Sequence, residues 1–273
     1  LGIYDIRRPG AKENTVHPVG VWIPVTTECF MNILITNDDG YDAEGLVAAY
    51  RAIRSLGTVH VVAPITQRSA CSHKITLSGP ITVRKIGLEA LGKEIYAVDG
   101  TPADCVRLAA EELIAEPIDL VISGINAGAN AGVDTFYSGT IAGAREGAIL
   151  SIRSIAISQA VRRPTPIDWG RTTEAATLLL EKLAFEELPG PGFLSVNLPA
   201  RIPENIADNV HRVPVALDPM PMKFARRALD AGSLLEFDYG QNYWHRNTAS
   251  PTDYSVVRDG GISIAAIPLV GRF

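Results

Sequence analysis

From Met31 onward the chain alternates short β-rich runs with segments of helical period, and that alternation restricts the fold more than any other feature. "NILIT", "VHVVAP", "EIYAV", "IDLVISG", "SIAIS" and "FLSVNLP" read as strands. Between them, "AEGLVAAYRAIRSLG", "GTPADCVRLAAEEL", "GTIAGAREGAIL" and "GRTTEAATLLLEKLAFEEL" read as helices. Strands that alternate with helices imply right-handed βαβ units and a mostly parallel sheet covered on both faces. The expected fold class is therefore α/β, a Rossmann-like three-layer α/β/α arrangement. Thr101 as N-cap, Pro102 at the first helical position and Asp104 two residues on form a start signal. Gly57 is placed as the residue that ends the first helix.

Other segments read differently. "KITLSGPITVRKI" has β character on both sides of Gly79-Pro80, predicting a hairpin or antiparallel excursion. After about residue 200 the pattern weakens into extended pieces, with "GGISIAAIPL" as a final strand; this tail is expected to form an arm. "MKFARRAL" (Met222–Leu229) reads as a solvated helix face. Residues 1–30 have no sustained period and are expected to be a peripheral extension ahead of a natural start at Met31, leaving 31–273 as one domain.

Composition narrows the partners. Hydrophobic residues make up 47% and the formal charge is −5, a balance that suits a soluble core and argues against duplex nucleic acid as a bulk partner. No run approaches the roughly 18 apolar residues of a membrane span. The N-terminus lacks the pattern of a secretory signal, so a cytoplasmic location is expected. Cys29, Cys71 and Cys105 are odd in number and without CxxC spacing, which gives no sign of a zinc site.

In a parallel α/β sheet, ligands bind at the carboxyl ends of strands. The first strand ends in Asn37-Asp38-Asp39-Gly40. Asp-Gly favours a turn, but two adjacent carboxylates repel unless a cation lies beside them. Oxygen donors of this kind suit magnesium or manganese rather than zinc. Ser69 follows the second strand without a nucleophile elbow, so a hydroxyl donor to a metal is its functional reading and an ordinary loop serine its structural one. "SGINAGANAGVDTFYSGTIAGAREG" (Ser123–Gly147) carries six glycines. Gly143 and Gly147 are assigned to close helix packing. Asn126 and Asn130 offer amides in a loop whose glycines admit close backbone approach. Ser138 sits at an N-cap, with Gly139 and Thr140 opening the helix, and such a helix start is a natural phosphate site. The Gly-Lys-Ser/Thr ending of a Walker A loop is absent. A hard cation facing an anion cradle is the arrangement that phosphoester hydrolysis needs.

Three blocks, "ILITNDDG", "GTPADCV" and the glycine-rich stretch, occur in an order and spacing by which the chain, from Met31 to about Leu269, resembles the SurE family of survival-protein-E nucleotidases. The resemblance implies a Rossmann-like domain with a C-terminal arm used in homodimer or homotetramer formation. It implies a phosphatase dependent on one Mg2+ or Mn2+ per subunit, acting on nucleoside 5′- and 3′-monophosphates and in some members on polyphosphate. By motif position the implied metal ligands are Asp38, Asp39, Ser69 and Asn126, with Asp38 and Asp39 also catalytic. Asn130, Ser138, Gly139 and Thr140 match the phosphate side, and Asp253 in "TD" is expected to approach the site from the tail. Cys71 stands where a glycine more often follows the serine. Two rivals differ in chemistry. A haloacid-dehalogenase-type phosphatase needs its second acid two residues after the first, where this chain has Gly40. A non-catalytic nucleotide-binding sensor would use the cradle without paired carboxylates.

Overall fold

The computed structural model describes residues 30–186, 190–219, 222–227, 235–240, 246 and 251–269. The expected N-terminal extension, and stretches of the expected arm after about residue 200, lie outside these residues. Strands β1 (Met31–Thr36), β2 (Gly57–Pro64), β4 (Lys93–Val98), β5 (Leu120–Ala127), β6 (Arg153–Gln159) and β7 (Gly192–Leu198) follow the expected order. Helices α1 (Glu44–Ile53), α2 (Pro102–Leu108), α3 (Gly139–Ile149) and α4 (Trp169–Leu183) connect them. With β3 (Val83–Leu88), β8 (Val210–Arg212) and β11 (Ile262–Pro268) they form a nine-stranded sheet ordered β3-β4-β2-β1-β5-β6-β7-β11-β8. Pairing is parallel from β4 across to β7, and antiparallel at β3–β4 and β7–β11.

Successive residues of β1 point to opposite faces, and both faces are dry. Ile33 and Ile35 join a cluster with Leu46, Ile53, Leu179 and Leu180 from α1 and α4. Leu34 faces Cys105, Val106 and Val121 on the α2 side. Burying each such side chain contributes about 1.5–3 kcal/mol, and covering both faces makes the sheet the middle of three layers. The strand ends that will carry the chemistry are thereby fixed to the most buried part of the molecule.

Four local readings change. Gly57 does not end α1; Arg54 does, in right-handed helical geometry. Gly57 opens β2, where a Cβ would lie 1.9 Å from the Met31 carbonyl oxygen, so the glycine serves strand approach. The antiparallel excursion exists, but its turn is at Glu89–Gly92 and its strands are β3 and β4. Residues near Thr76 cannot join it, because the Thr76 N–H and hydroxyl both donate to Asp104. The segment read as a helix face contains strand β9 (Lys223–Arg226), paired antiparallel with β10 (Phe237–Gly240) and fastened by Phe224 against Tyr239 with ring centroids 5.2 Å apart. Finally, α5 (Asp253–Arg258) had no reading as a helix. At six residues it is too short to show a period, and its capping box, Thr252 with Ser255, is the only local signal.

The candidate active site

β1 and β5 are neighbours at the centre of the sheet, and their carboxyl ends open on a cleft of about 260 Å3. Asp38, Asp39, Ser69, Asn126, Asn130 and Ser138 all line it, so six of the expected residues converge from the end of β5 and the connections that follow β1, β2 and β5. Gly139 and Thr140 do not line it; they are buried behind Asp38.

The turn after β1 is closed by Asn37, whose amide donates to the Gly40 carbonyl at 2.7 Å and accepts from the Gly40 N–H at 3.3 Å. Gly40 itself has φ +115°, which a side chain would strain. Asn37 therefore has a structural role that its sequence context left unassigned. Asp38 is 5% exposed and accepts a bond from the Thr140 hydroxyl at 2.5 Å. Burial raises its carboxyl to about 6 against the lowering effect of the Thr140 bond, and the charge of Asp39 adds to the rise. Asp39 is more open, accepting from Gln67 Nε2 and from the Ala127 N–H, each at 3.2 Å. A Cβ on Gly139 would stand 2.8 Å from Asp38 Cβ and 2.9 Å from both Asp38 Oδ2 and Cys71 Sγ. The bare Cα of Gly139 thus lets the start of α3 press against the first carboxylate.

Asn126 is aimed by an irregularity in β5. The register with β6 shifts between Ser123 and Asn126, where Gly124 takes φ +128° and a Cβ would meet the Ile157 carbonyl oxygen at 2.2 Å. Bulges of this kind re-aim side chains at strand ends. The Asn126 amide nitrogen then donates to the Gly128 carbonyl at 2.7 Å, which leaves the side-chain oxygen as the atom suited to a cation. Asn130 is pinned by its N–H to Asn197 Oδ1 and its amide to Ser158 Oγ, both at 2.8 Å. Ser138 caps α3 by accepting from the Ile141 N–H at 3.1 Å.

The loop that carries Ser69 is held from two sides. Asp104 closes the α2 capping box and accepts both bonds from Thr76. Burial alone would raise its carboxyl, but those backbone and hydroxyl donors carry it below the usual range. His73 Nε2 lies 2.6 Å from Glu146 Oε2 on α3, and Arg107 lies 3.2 Å from the other oxygen. His73 is thus a tie between the loop and α3, and "GTPADCV" is a clamp on the loop rather than part of the cleft.

Two residues from the C-terminal part complete the frame. Asp253 is fully buried and accepts from the N–H groups of Gly132, Ala216 and Tyr254, each at 2.8 Å. It reaches the glycine-rich loop, but it does not line the cleft. Arg246, which sequence reasoning missed, binds both carboxylate oxygens of the cleft-lining Asp134 at 2.8 Å. Gln67, Asp134 and Tyr137 also line the cleft without having been expected there.

Two carboxylates, a hydroxyl and an amide oxygen around one small cleft form a hard-donor set, and no group of three His, Cys, Asp or Glu side chains suited to a metal occurs among the described residues. The donor set fits a divalent ion of the magnesium type, and Asp38, held beside Asp39 in a buried position, is a carboxylate such an ion would stabilise.

A parallel α/β sheet with oxygen donors and a capped helix start at its carboxyl edge defines a nucleotide- or phosphate-handling class of protein. The family model described as Survival protein SurE matches residues 33–215. The chain is 40% identical over 237 residues to a 5'-nucleotidase SurE of Heliobacterium modesticaldum, covering 87% of this chain and 86% of that protein. It is 37% identical to a 5'-nucleotidase SurE of Geobacter sulfurreducens, covering 88% of each. The crystal structure of a SurE protein from Aquifex aeolicus superposes with a TM-score of 0.75 at 34% identity, covering 88% of this chain and 94% of that one. The chain belongs to the SurE family.

Proposed function

We propose that this protein is a divalent-metal-dependent 5'-nucleotidase that hydrolyses nucleoside monophosphates to nucleoside and phosphate. The observation that carries the reading is the cleft itself. It faces the start of α3, yet among the described residues its lining holds three carboxylates, Asp38, Asp39 and Asp134, and no Lys, Arg or His. A phosphomonoester enters such a cleft only when a cation offsets the carboxylates. The names of the relatives support the same activity.

Asp38, Asp39, Ser69 and Asn126 would hold one Mg2+ or Mn2+. When bound, such an ion neutralises charge on phosphate oxygens and makes a coordinated water more acidic. The chain's own groups do the rest. Thr140 and Gly139 hold Asp38 in place, and Asn197 and Ser158 fix Asn130 beside the phosphate. Ser138 at the start of α3 orients the phosphate oxygens toward the helix N-terminus, and one of the two aspartates accepts the water's proton. A nucleotide sensor is disfavoured, because binding alone needs no paired carboxylates in an anion cleft.

The test is phosphate release from 5'-AMP, 3'-AMP and short polyphosphate, with Mg2+ or Mn2+ and again after chelation with EDTA. Release from 5'-AMP that stops on chelation and returns with metal is expected. Absence of release in metal-replete buffer, with AMP still bound, would turn the reading into the sensor. The same reading takes the exposed β9–β10 ribbon, in the arm after about residue 200, as a contact in a homodimer or homotetramer, so a monomeric mass by light scattering would remove that part. A cytoplasmic site of action goes with an intracellular nucleotide substrate, and fractionation of the source cells checks it; no helix among the described residues is long and apolar enough to cross a membrane.

A further inference from the structure

We propose that Tyr137 is a specificity-determining residue, a stacking platform for the substrate's nucleobase at the rim of the acidic cleft. The inference rests on the nucleotidase reading above and names the contact that separates a nucleotide from other phosphomonoesters.

Among the described residues of the cleft lining, Tyr137 is the one aromatic side chain, and it is 58% exposed. Exposed rings occur singly on many surfaces, so exposure alone assigns nothing; the position does. Tyr137 directly precedes Ser138, the cap of α3, with about 3.8 Å between their Cα atoms. A base joined to its phosphate through one ribose is within reach of that ring when the phosphate lies at the helix start. The other described lining residues are carboxylates, amides, hydroxyls and alanines. Carboxylates repel a nucleotide, and amides and hydroxyls offer it bonds that water also offers. An uncharged ring attracts any base through its π-face.

The ring is also held ready. It follows the short turn Gly132–Phe136, whose backbone is fastened along its length. The Ala131 carbonyl accepts from Arg246 Nη1 at 3.1 Å, and the Thr135 carbonyl from Arg145 Nη2 at 2.8 Å. The Asp134 carbonyl accepts from the N–H groups of Tyr137 and Ser138, each at 3.0 Å. Ser72, in the loop that carries Ser69, closes the end. Its hydroxyl donates to the Phe136 carbonyl at 2.7 Å and its N–H to the Tyr137 carbonyl at 3.0 Å. The backbone on both sides of the ring is thus fixed while the ring stays open. Tyrosine has only two side-chain torsions, so little freedom is lost when a base covers it. Phe136 is 61% exposed but does not line the cleft, which makes it the neighbouring ring without the placement.

Full-length protein with saturating Mn2+ tests this on AMP and ribose 5-phosphate, which share the phosphate and the ribose and differ in the base. Tyr137→Ala is expected to raise KM for AMP roughly tenfold with kcat within about twofold, and to leave ribose 5-phosphate within about twofold. Where turnover of ribose 5-phosphate is too slow to follow, its Ki against AMP replaces KM. Tyr137→Phe keeps the ring and stays within about threefold of wild type on both substrates. Phe136→Ala does likewise, and an AMP-selective loss there in place of Tyr137 overturns the assignment. A role confined to the turn predicts equal losses on both substrates in Tyr137→Ala, which overturns the proposal, as does an unchanged KM for AMP. The hydrogen bonds of Tyr137 given above are made by its backbone and survive every substitution. Should Tyr137→Ala still not fold, Tyr137→Leu, apolar but without a π-face, carries the same comparison with the same outcomes. A wild-type protein that releases no phosphate refutes the nucleotidase reading. The platform then stands if calorimetry shows AMP binding weakened roughly tenfold by Tyr137→Ala with ribose 5-phosphate binding unchanged, and falls if AMP does not bind. An active wild-type protein whose Tyr137→Ala variant treats both substrates alike keeps the nucleotidase reading and removes the platform.

Discussion

Two clefts open on the carboxyl edge of the same sheet, and they differ in a way that separates a site from a hollow. The larger, about 760 Å3, lies beyond β6 and β7 and is lined by Gln159, Arg162, Asp168, Arg171, Arg201 and Glu204 among others. Its polar groups are largely engaged with each other or with nearby backbone. Arg171 pairs with Glu174 and donates to the Pro203 carbonyl, Asp168 caps α4 through the Arg171 N–H, and Gln159 accepts from Thr172. The smaller, about 260 Å3, concentrates three carboxylates with no basic side chain among the described residues of its lining. Volume favours the first; unbalanced charge favours the second. Chemistry follows the imbalance, because Asp38 and Asp39, unlike Asp134, which pairs with Arg246, are charges that a cation can answer.

That contrast can be broken by substitution, and the largest effect falls in the smaller cleft. Asp39→Asn removes one of the paired carboxylates while keeping its shape, and AMP turnover is expected to fall at least about 100-fold in metal-replete buffer. The circular dichroism spectrum and melting temperature stay near wild type, since Asp39 is partly exposed and bonded only to Gln67 and Ala127. More than a few per cent residual activity would count against the assignment of the pair. Gly139→Ala comes next. Its methyl would meet Asp38 and Cys71 at 2.8–2.9 Å, and a carboxylate displaced by even part of an ångström costs roughly tenfold to 100-fold in rate. The same overpacking lowers stability by about 1–3 kcal/mol, read by urea denaturation, and full activity would show that the α3 start yields more than its packing implies. The smallest effect belongs to the larger cleft. Arg201→Ala removes an exposed lining cation there, and both activity and stability are expected to change by less than about twofold or 0.5 kcal/mol. A strong loss of activity would mean that the larger cleft takes part and that charge balance was the wrong criterion.

Much of the frame was legible one segment at a time. The β1 run, the α2 cap at Thr101-Pro102-Asp104 and the glycine face of α3 all rest on contacts within a few residues or on periodicity, and local signals report those well. Gly143 and Gly147 pack against Ser123 and Ser154 side chains, as their spacing implied. Asp38 and Asp39 stood out because like charges side by side need a reason. Ser69 was weak by itself and gained meaning only through the family resemblance. Two of the misreadings share one cause. Gly57 looked like a helix end and is a strand approach, and the start of the segment that looked like half a hairpin is tied to the start of α2, Lys74 through Thr101 and Thr76 through Asp104. In each case a partner distant in sequence overrode a local preference.

The residues that shape the cleft from behind lie furthest from any local signal. Thr140 reaches Asp38 across 102 residues, Arg246 reaches Asp134 across 112, and Gly132 donates to Asp253 across 121. Nothing in the neighbourhood of an arginine or a threonine announces such a partner. The sequence by itself determined the layered α/β fold, the strand end that carries the paired aspartates and the helix start that faces them, because periodicity, capping and charge repulsion act over a few residues. Only the tertiary structure decided that Thr140 serves Asp38 and that Asp253 clamps a loop. It also placed Arg246 against a carboxylate of the cleft, because those roles depend on which buried groups the completed core brings within hydrogen-bond distance.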